Sequence, residues 1–227
     1  MTRVAIAALL IAALSGCGRA PAPLADKPVL MLISGLPLVN GERFAIDAVG
    51  SPTLARLEQQ FEVRPIATSD RASLRGGGLL LMAQPRAQPA EALVDLDAWV
   101  RNGGRVAILA DPRLDWPSAR APGDALRPPF AFADTGLLAH WGVALDAPDV
   151  AGPADRRLEG HVVATSSPGT LRPVGRGACV ILDDGFVARC TLGKGAALII
   201  ADADFLNGDD DDRDAIVATI ERFRQTH

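Results

Sequence analysis

The stretch 78–112, GLLLMAQPRAQPAEALVDLDAWVRNGGRVAILADP, limits the folds open to this chain more than any other. Residues 79–82 form an unbroken apolar run, which suits a strand buried on both faces. Pro89 fits the first turn of a helix. Leu93, Leu96, Trp99 and Val100 then recur at helical spacing and make one apolar stripe. Asn102-Gly103-Gly104 provides the left-handed residue on which such a helix stops. Residues 106–110 are a second apolar run, closed by Asp111-Pro112. Two doubly buried strands joined through a helix make a right-handed crossover in a parallel sheet. The chain is therefore expected to be an α/β protein.

The same grammar recurs on both sides. Residues 29–33 read as a strand. Ser51-Pro52 offers a cap and a first-turn proline, and Leu54, Leu57 and Phe61 line one face of the helix that follows. Residues 63–67 are a further strand. Beyond the crossover, residues 116–129 (WPSARAPGDALRPP) form a proline-rich loop; loops of such length inside a domain are usually functional or mobile. A short helix over 134–141 and a short strand over 143–145 follow. Residues 197–201 are another apolar strand, and a last helix from about Asp212 turns Ile216, Val217, Ile220 and Phe223 inward.

Between about residues 155 and 195 the pattern changes to alternation and turns, which predicts antiparallel structure. Residues 179–182 and 186–192 flank Asp183-Asp184-Gly185. If Asp184-Gly185 is a two-residue hairpin turn, Cys179 falls directly opposite Cys190, close enough for a disulfide. That register makes them a hydrogen-bonded pair. The expected fold is thus a mostly parallel sheet with an antiparallel hairpin addition near the C-terminus.

The chain has 227 residues, of which 48% are hydrophobic, enough for one good core. Its net charge of −4 lacks the clustered positive charge that nucleic-acid binding needs. Aromatic residues make up only 4%, and tyrosine is absent, so a stacking surface for bases or sugars is not expected.

The N-terminus reads as an address. Arg3 precedes an apolar run over 4–14 that is too short to span a bilayer, since a transmembrane helix needs about 20 residues. It fits the apolar region of a secretory signal. Leu14-Ser15-Gly16-Cys17 follows at once and looks like a bacterial lipobox, with cleavage before Cys17 and lipid on its thiol. Several acyl chains anchor stably where one does not. The residue after Cys17 is Gly18 rather than Asp, which favours the outer over the inner membrane. Residues 18–28 (GRAPAPLADKP) form a Pro/Ala tether of ~35 Å when extended at ~3.1 Å per residue. The predicted organisation is a lipoprotein signal peptide over 1–16, a lipid-anchored tether over 17–28 and a single α/β domain over 29–227, facing the periplasm. An oxidising envelope allows the Cys179–Cys190 bridge.

Motifs for chemistry are sparse. Gly193-Lys194-Gly195 is not a phosphate-binding loop, because no Ser or Thr follows the lysine and a strand comes next. No nucleophile elbow lies between a strand and a helix. Of the three histidines, His140 sits in a short helix beside Trp141 and His227 is terminal. No cofactor is implied. The acidic run 209–212 invites a calcium reading, but its spacing departs from the EF-hand, and acids before a helix also favour its dipole. Ligands of open parallel sheets sit at the carboxyl ends of the strands. Here those ends carry Ser34, Gln84, Asp111, Asp202 and Asp204, the candidate ligand-site residues. Asp111 converges with Asp202 and Asp204 if their strands are neighbours, holding a cation or polar ligand or simply capping loops.

Three segments carry a family resemblance: SGLPLVNGE from Ser34, the crossover LLLMAQP with LDAWVRNGGRVAILADP, and GKGAALIIADADFLN near the end. In order and spacing they resemble the extracytoplasmic domain of the GldG-type family, auxiliary proteins of poorly characterised ABC transport systems first associated with gliding motility. The resemblance implies a flavodoxin-like sheet of the class I glutamine amidotransferase kind without the catalytic cysteine, and it transfers no catalytic residue. It also implies an ABC permease and ATPase as partners. Relatives are often held by transmembrane helices, whereas this chain carries a lipobox. The expected function is a non-catalytic envelope lipoprotein whose α/β domain binds a protein partner or a small ligand, as an accessory to an ABC transport system. One rival is a metal-assisted hydrolase using Asp111, Asp202 and Asp204; another is a structural envelope lipoprotein.

Overall fold

The computed structural model describes residues 27–41, 50–175 and 177–226. The expected signal peptide, Cys17 and most of the expected tether lie outside the described residues. Eleven strands and four α-helices follow in chain order: β1 (Val29–Ser34), α1 (Pro52–Gln60), β2 (Glu62–Pro65), β3 (Leu79–Ala83), α2 (Ala90–Arg101), β4 (Arg105–Leu109), α3 (Leu137–Trp141), β5 (Val143–Asp146), β6 (Pro153–Leu158), β7 (His161–Ser166), β8 (Thr170–Pro173), β9 (Cys179–Leu182), β10 (Val187–Leu192), β11 (Gly195–Ile200) and α4 (Asp210–Gln225). No helix among the described residues is long and apolar enough to cross a membrane.

The central sheet has seven strands in the order β2-β1-β3-β4-β11-β10-β9. β2, β1, β3, β4 and β11 run parallel; β10 is antiparallel to both β11 and β9. The fold is mixed α/β with antiparallel strands on the C-terminal side, as the patterning predicts. Every residue of β3 is buried, and four of the five in β4 are. Such strands have apolar neighbours on both faces, which explains why they read as runs rather than alternations.

The step from β1 to β2 moves one way across the sheet, and the step from β3 to β4 moves the other. Right-handed crossovers then place α1 and α2 on opposite faces. α4 packs beside α1, joined by the Arg56–Asp214 ion pair. α2 covers β11 from the other side and ends in a Schellman motif, with Gly103 N–H donating to Val100 O (2.9 Å) and Gly104 N–H to Trp99 O (3.1 Å). α4 begins two residues before the expected Asp212. Asp212 N–H donates to Asp209 Oδ1 (3.1 Å) and Asp209 N–H to Asp212 Oδ2 (3.3 Å), a capping box. The acidic run 209–212 therefore works as a helix start. Asp212 also accepts from Ala164 N–H (3.0 Å) and so pins the β6–β7 hairpin to the helix.

Cys179 and Cys190 form a disulfide with Cα atoms 3.9 Å apart. The register pairs them as expected, but the hydrogen-bonding phase differs. Thr191 N–H donates to Ala178 O (2.9 Å), which puts the cysteines at a non-hydrogen-bonded position. The turn explains the shift. Asp183, Asp184 and Gly185 all take left-handed φ values (51°, 55° and 88°), so the ladder closes at Leu182 and Val187 instead of at Asp183 and Phe186. A pair without backbone rungs is the closer of the two kinds.

Candidate functional site

The carboxyl ends of β1, β3, β4 and β11 lie along one edge of the sheet. Two separate features stand there. One is a carboxylate cluster beyond β4 and β11; the other is a cleft beyond β1.

β4 and β11 are neighbours, with Leu109 opposite Ile200. Their ends therefore bring Asp111, Asp202 and Asp204 together, with one oxygen of each within 4.8 Å of the others. Asp111 and Asp202 are fully buried and Asp204 is half-buried. Backbone amides hold the outer oxygens. Asp111 Oδ1 accepts from Arg113 N–H (2.7 Å) and its Oδ2 from Ala203 N–H (3.3 Å); Asp202 Oδ1 accepts from Asp204 N–H (2.8 Å); Asp204 accepts from Asp115 N–H (2.9 Å). Burial is the first cause that pushes the Asp111 carboxyl up to about 6. The same cause, with Asp111 beside it, raises Asp204 to about 7. Asp202 is raised well above the ordinary range by burial and then by the charges of Asp111 and Asp204.

Gln84 shores up this cluster from β3. Its Oε1 accepts from Asp111 N–H (2.9 Å) and its Nε2 donates to Asp111 O (3.0 Å). Its φ of 45° is left-handed, uncommon for a residue with a side chain. Ser34 stands apart, since β3 lies between β1 and β4. Its hydroxyl donates to Leu36 O (2.9 Å) and accepts from Leu36 N–H (3.0 Å), closing a local turn.

Ser34 instead lines a cleft of about 390 Å³ formed with Gly35, Pro65, Ile66, Arg86 and Arg120, among others. The chain leaves β1 for β2 on one side and enters β3 on the other, so the topological switch point where open parallel sheets bind ligands falls between β1 and β3; this cleft lies beside it, beyond the ends of β1 and β2, with Arg86 after β3 at its rim. The proline-rich loop forms one wall through Arg120 and Leu126. That loop is internally tied: Arg127 donates to Arg120 O, Asp124 Oδ1 accepts from Leu126 N–H (2.7 Å), and Arg86 Nη2 reaches Arg127 O (2.6 Å). Reading by residue type did not find Arg86, Arg120 or the wall after β2. The strand order 2-1-3-4 is the signal that locates them, and local patterning does not supply it.

His140 pairs with Asp97 at 3.5 Å on the surface of α3. The same carboxylate accepts from Trp141 Nε1 (2.8 Å) and pairs with Arg101 (2.8 Å), so Asp97 serves packing between α2 and α3.

No family model matches the chain, and no curated protein matches it. Solved structures share the fold. The exo-β-1,4-mannosidase Op5Man5 from Opitutaceae bacterium strain TAV5 superposes with a TM-score of 0.51 at 13% identity, over 88% of this chain and 36% of that one. The mmIFT52 N-terminal domain gives 0.52 at 14% identity, over 87% of this chain and 98% of that domain. The β-galactosidase of the Antarctic haloarchaeon Halorubrum lacusprofundi gives 0.50 at 15% identity, over 92% of this chain and 32% of that one. The chain spans about a third of the length of these glycosidases. At such identities the likeness is one of fold alone.

Proposed function

We propose that this chain is a non-catalytic lipoprotein of the bacterial envelope, anchored through Cys17, whose α/β domain binds a partner or small ligand in the cleft beyond the ends of β1 and β2. We assign it as an accessory of an ABC transport system. The observation that carries the binding reading is the make-up of that cleft beside the switch point. Its described lining holds two arginines, the Asn40 amide, a serine hydroxyl occupied by its own turn, and apolar and backbone surface. No histidine, cysteine or carboxylate stands among those lining residues to act as nucleophile or base. Arg86 favours a ligand or partner segment carrying an anionic group, while Arg120 is paired with Asp124 (3.3 Å). The lipobox, the disulfide and the family resemblance support an envelope address.

Metal-assisted hydrolysis by Asp111, Asp202 and Asp204 is less favoured. Two of those three carboxylates are fully buried, and a substrate must reach the reacting oxygens.

The cleft is tested by Arg86→Glu in tagged full-length protein taken from native membranes in gentle detergent. Loss of the wild-type's co-purifying partner is expected, with stability lowered by no more than about 1.5 kcal/mol, because Arg86 is exposed and gives up one hydrogen bond, to Arg127 O. Retention of the same partner at wild-type level counts against this cleft as the site.

A further inference from the structure

The carboxylate cluster beyond β4 and β11 is not used by the cleft reading, and it poses an electrostatic problem of its own. Three acidic side chains converge within 4.8 Å, two of them fully buried. Among the ion pairs of the described residues, none brings a lysine or arginine to Asp111, Asp202 or Asp204. A buried carboxylate without a cationic partner is costly. The backbone amides described above satisfy the outer oxygens. They leave Asp202 Oδ2, which is buried and accepts no hydrogen bond. This orphaned oxygen belongs to the carboxylate that both Asp111 and Asp204 act on electrostatically.

We infer that Asp111, Asp202 and Asp204 together bind one hard divalent cation. The donor set is all carboxylate oxygen, the chemistry that selects calcium and magnesium over softer metals. Oxygens within 4.8 Å of one another are close enough to share one such ion, since two ligands of a calcium lie up to about 4.6–5.2 Å apart.

The position gives the ion a structural task. Asp111 ends β4, and Asp202 and Asp204 follow β11, so one ion ties two neighbouring strand ends. Both ends of the proline-rich loop are fastened at the same place. Asp115 N–H donates to Asp204, and Phe132 N–H donates to Asp111 O (2.6 Å). The cation thus fixes the base of the loop whose middle walls the cleft.

The test uses the purified full-length protein in detergent, stripped with chelator, and measures calorimetric titration and thermal melting with calcium chloride, with magnesium chloride as the comparison. Calcium at roughly a hundredfold excess over its Kd should raise the melting temperature by about 5 °C or more. Asp202→Asn should lower calcium affinity at least tenfold, yet melt no lower than wild type in chelator, since it replaces a buried acid by a neutral group of the same shape. If Asp202→Asn fails to fold, Asp204→Asn, at the half-buried position, carries the same comparison. Wild-type protein that binds neither ion, or a variant that binds calcium as tightly as wild type, overturns the inference.

Discussion

Gly35, at the end of β1, lies against Pro129, at the far end of the proline-rich loop. A Cβ at position 35 would come within 3.2 Å of the Pro129 ring and 2.2 Å of the Gln84 carbonyl oxygen. The contact seats the loop on the sheet edge, so the shape of the cleft depends on the absence of one side chain.

Gly35→Ala should therefore cost about 1–3 kcal/mol through overpacking against backbone that has nowhere to go. It should also lift the loop. Urea denaturation measures the first effect, and protease cleavage within 116–129 the second. Wild-type stability together with wild-type protease resistance would show that the loop is not seated by this contact.

Gln84 makes a second test of the sheet edge. Gln84→Ala removes both bonds to the Asp111 backbone, and the buried Asp111 N–H loses its partner. An unsatisfied buried donor costs about 1–3 kcal/mol. A loss in that range by thermal or urea unfolding is expected, whereas a change near zero would mean that water or a shifted neighbour takes over the amide.

The disulfide clamps β9, which is the edge strand of the sheet, to β10. Closing a loop with a sequence separation of 11 stabilises by about 3 kcal/mol in the chain-entropy picture. Cys179→Ala/Cys190→Ala should lower stability by an amount of that order. Reductant should destabilise wild type but not the double variant. Equal sensitivity of both proteins to reductant would place the effect elsewhere.

The acid cluster predicts a pH dependence in chelator. The carboxyls of Asp111 and Asp204 are raised to about 6 and about 7, and Asp202 is raised well above the ordinary carboxylate range by burial and by its two neighbours. A carboxyl raised on folding binds its proton more tightly in the native state. Its contribution is complete below the unfolded value of about 4 and is lost as pH rises through the folded value. Without added divalent ion, stability should fall from pH 5 to pH 8, by on the order of 2 kcal/mol. Melting curves across that range check the sign; stability that rises with pH contradicts it.

Much of this architecture was legible because the central strands are buried on both faces. Residues 79–82, 106–110 and 197–201 could be read as strands from apolar run length alone, and Pro52 and Gly103 marked helix ends by backbone geometry. The weaker strands β6 and β8 were not separately readable: both carry exposed residues, and β8 is only four residues long. The hairpin phase was missed because Asp183 joins Asp184 and Gly185 in the left-handed region, which dipeptide turn rules do not anticipate. Convergence of Asp111 with Asp202 and Asp204 depends on β4 lying beside β11, strands some 90 residues apart in the chain, and local patterning carries no such information. The Gln84–Asp111 bonds and the arginines of the cleft have the same long-range origin.

The central claim is that a lipid-anchored domain serves a membrane transport system. It is tested most directly by isolating the tagged full-length protein from native membranes in gentle detergent and identifying its partners by mass spectrometry beside a Cys17→Ala control. The account predicts that the permease and ATPase of one ABC system co-purify with the wild type and are lost with Cys17→Ala, which should leave the membrane fraction. Recovery of no transporter component above that control would contradict it.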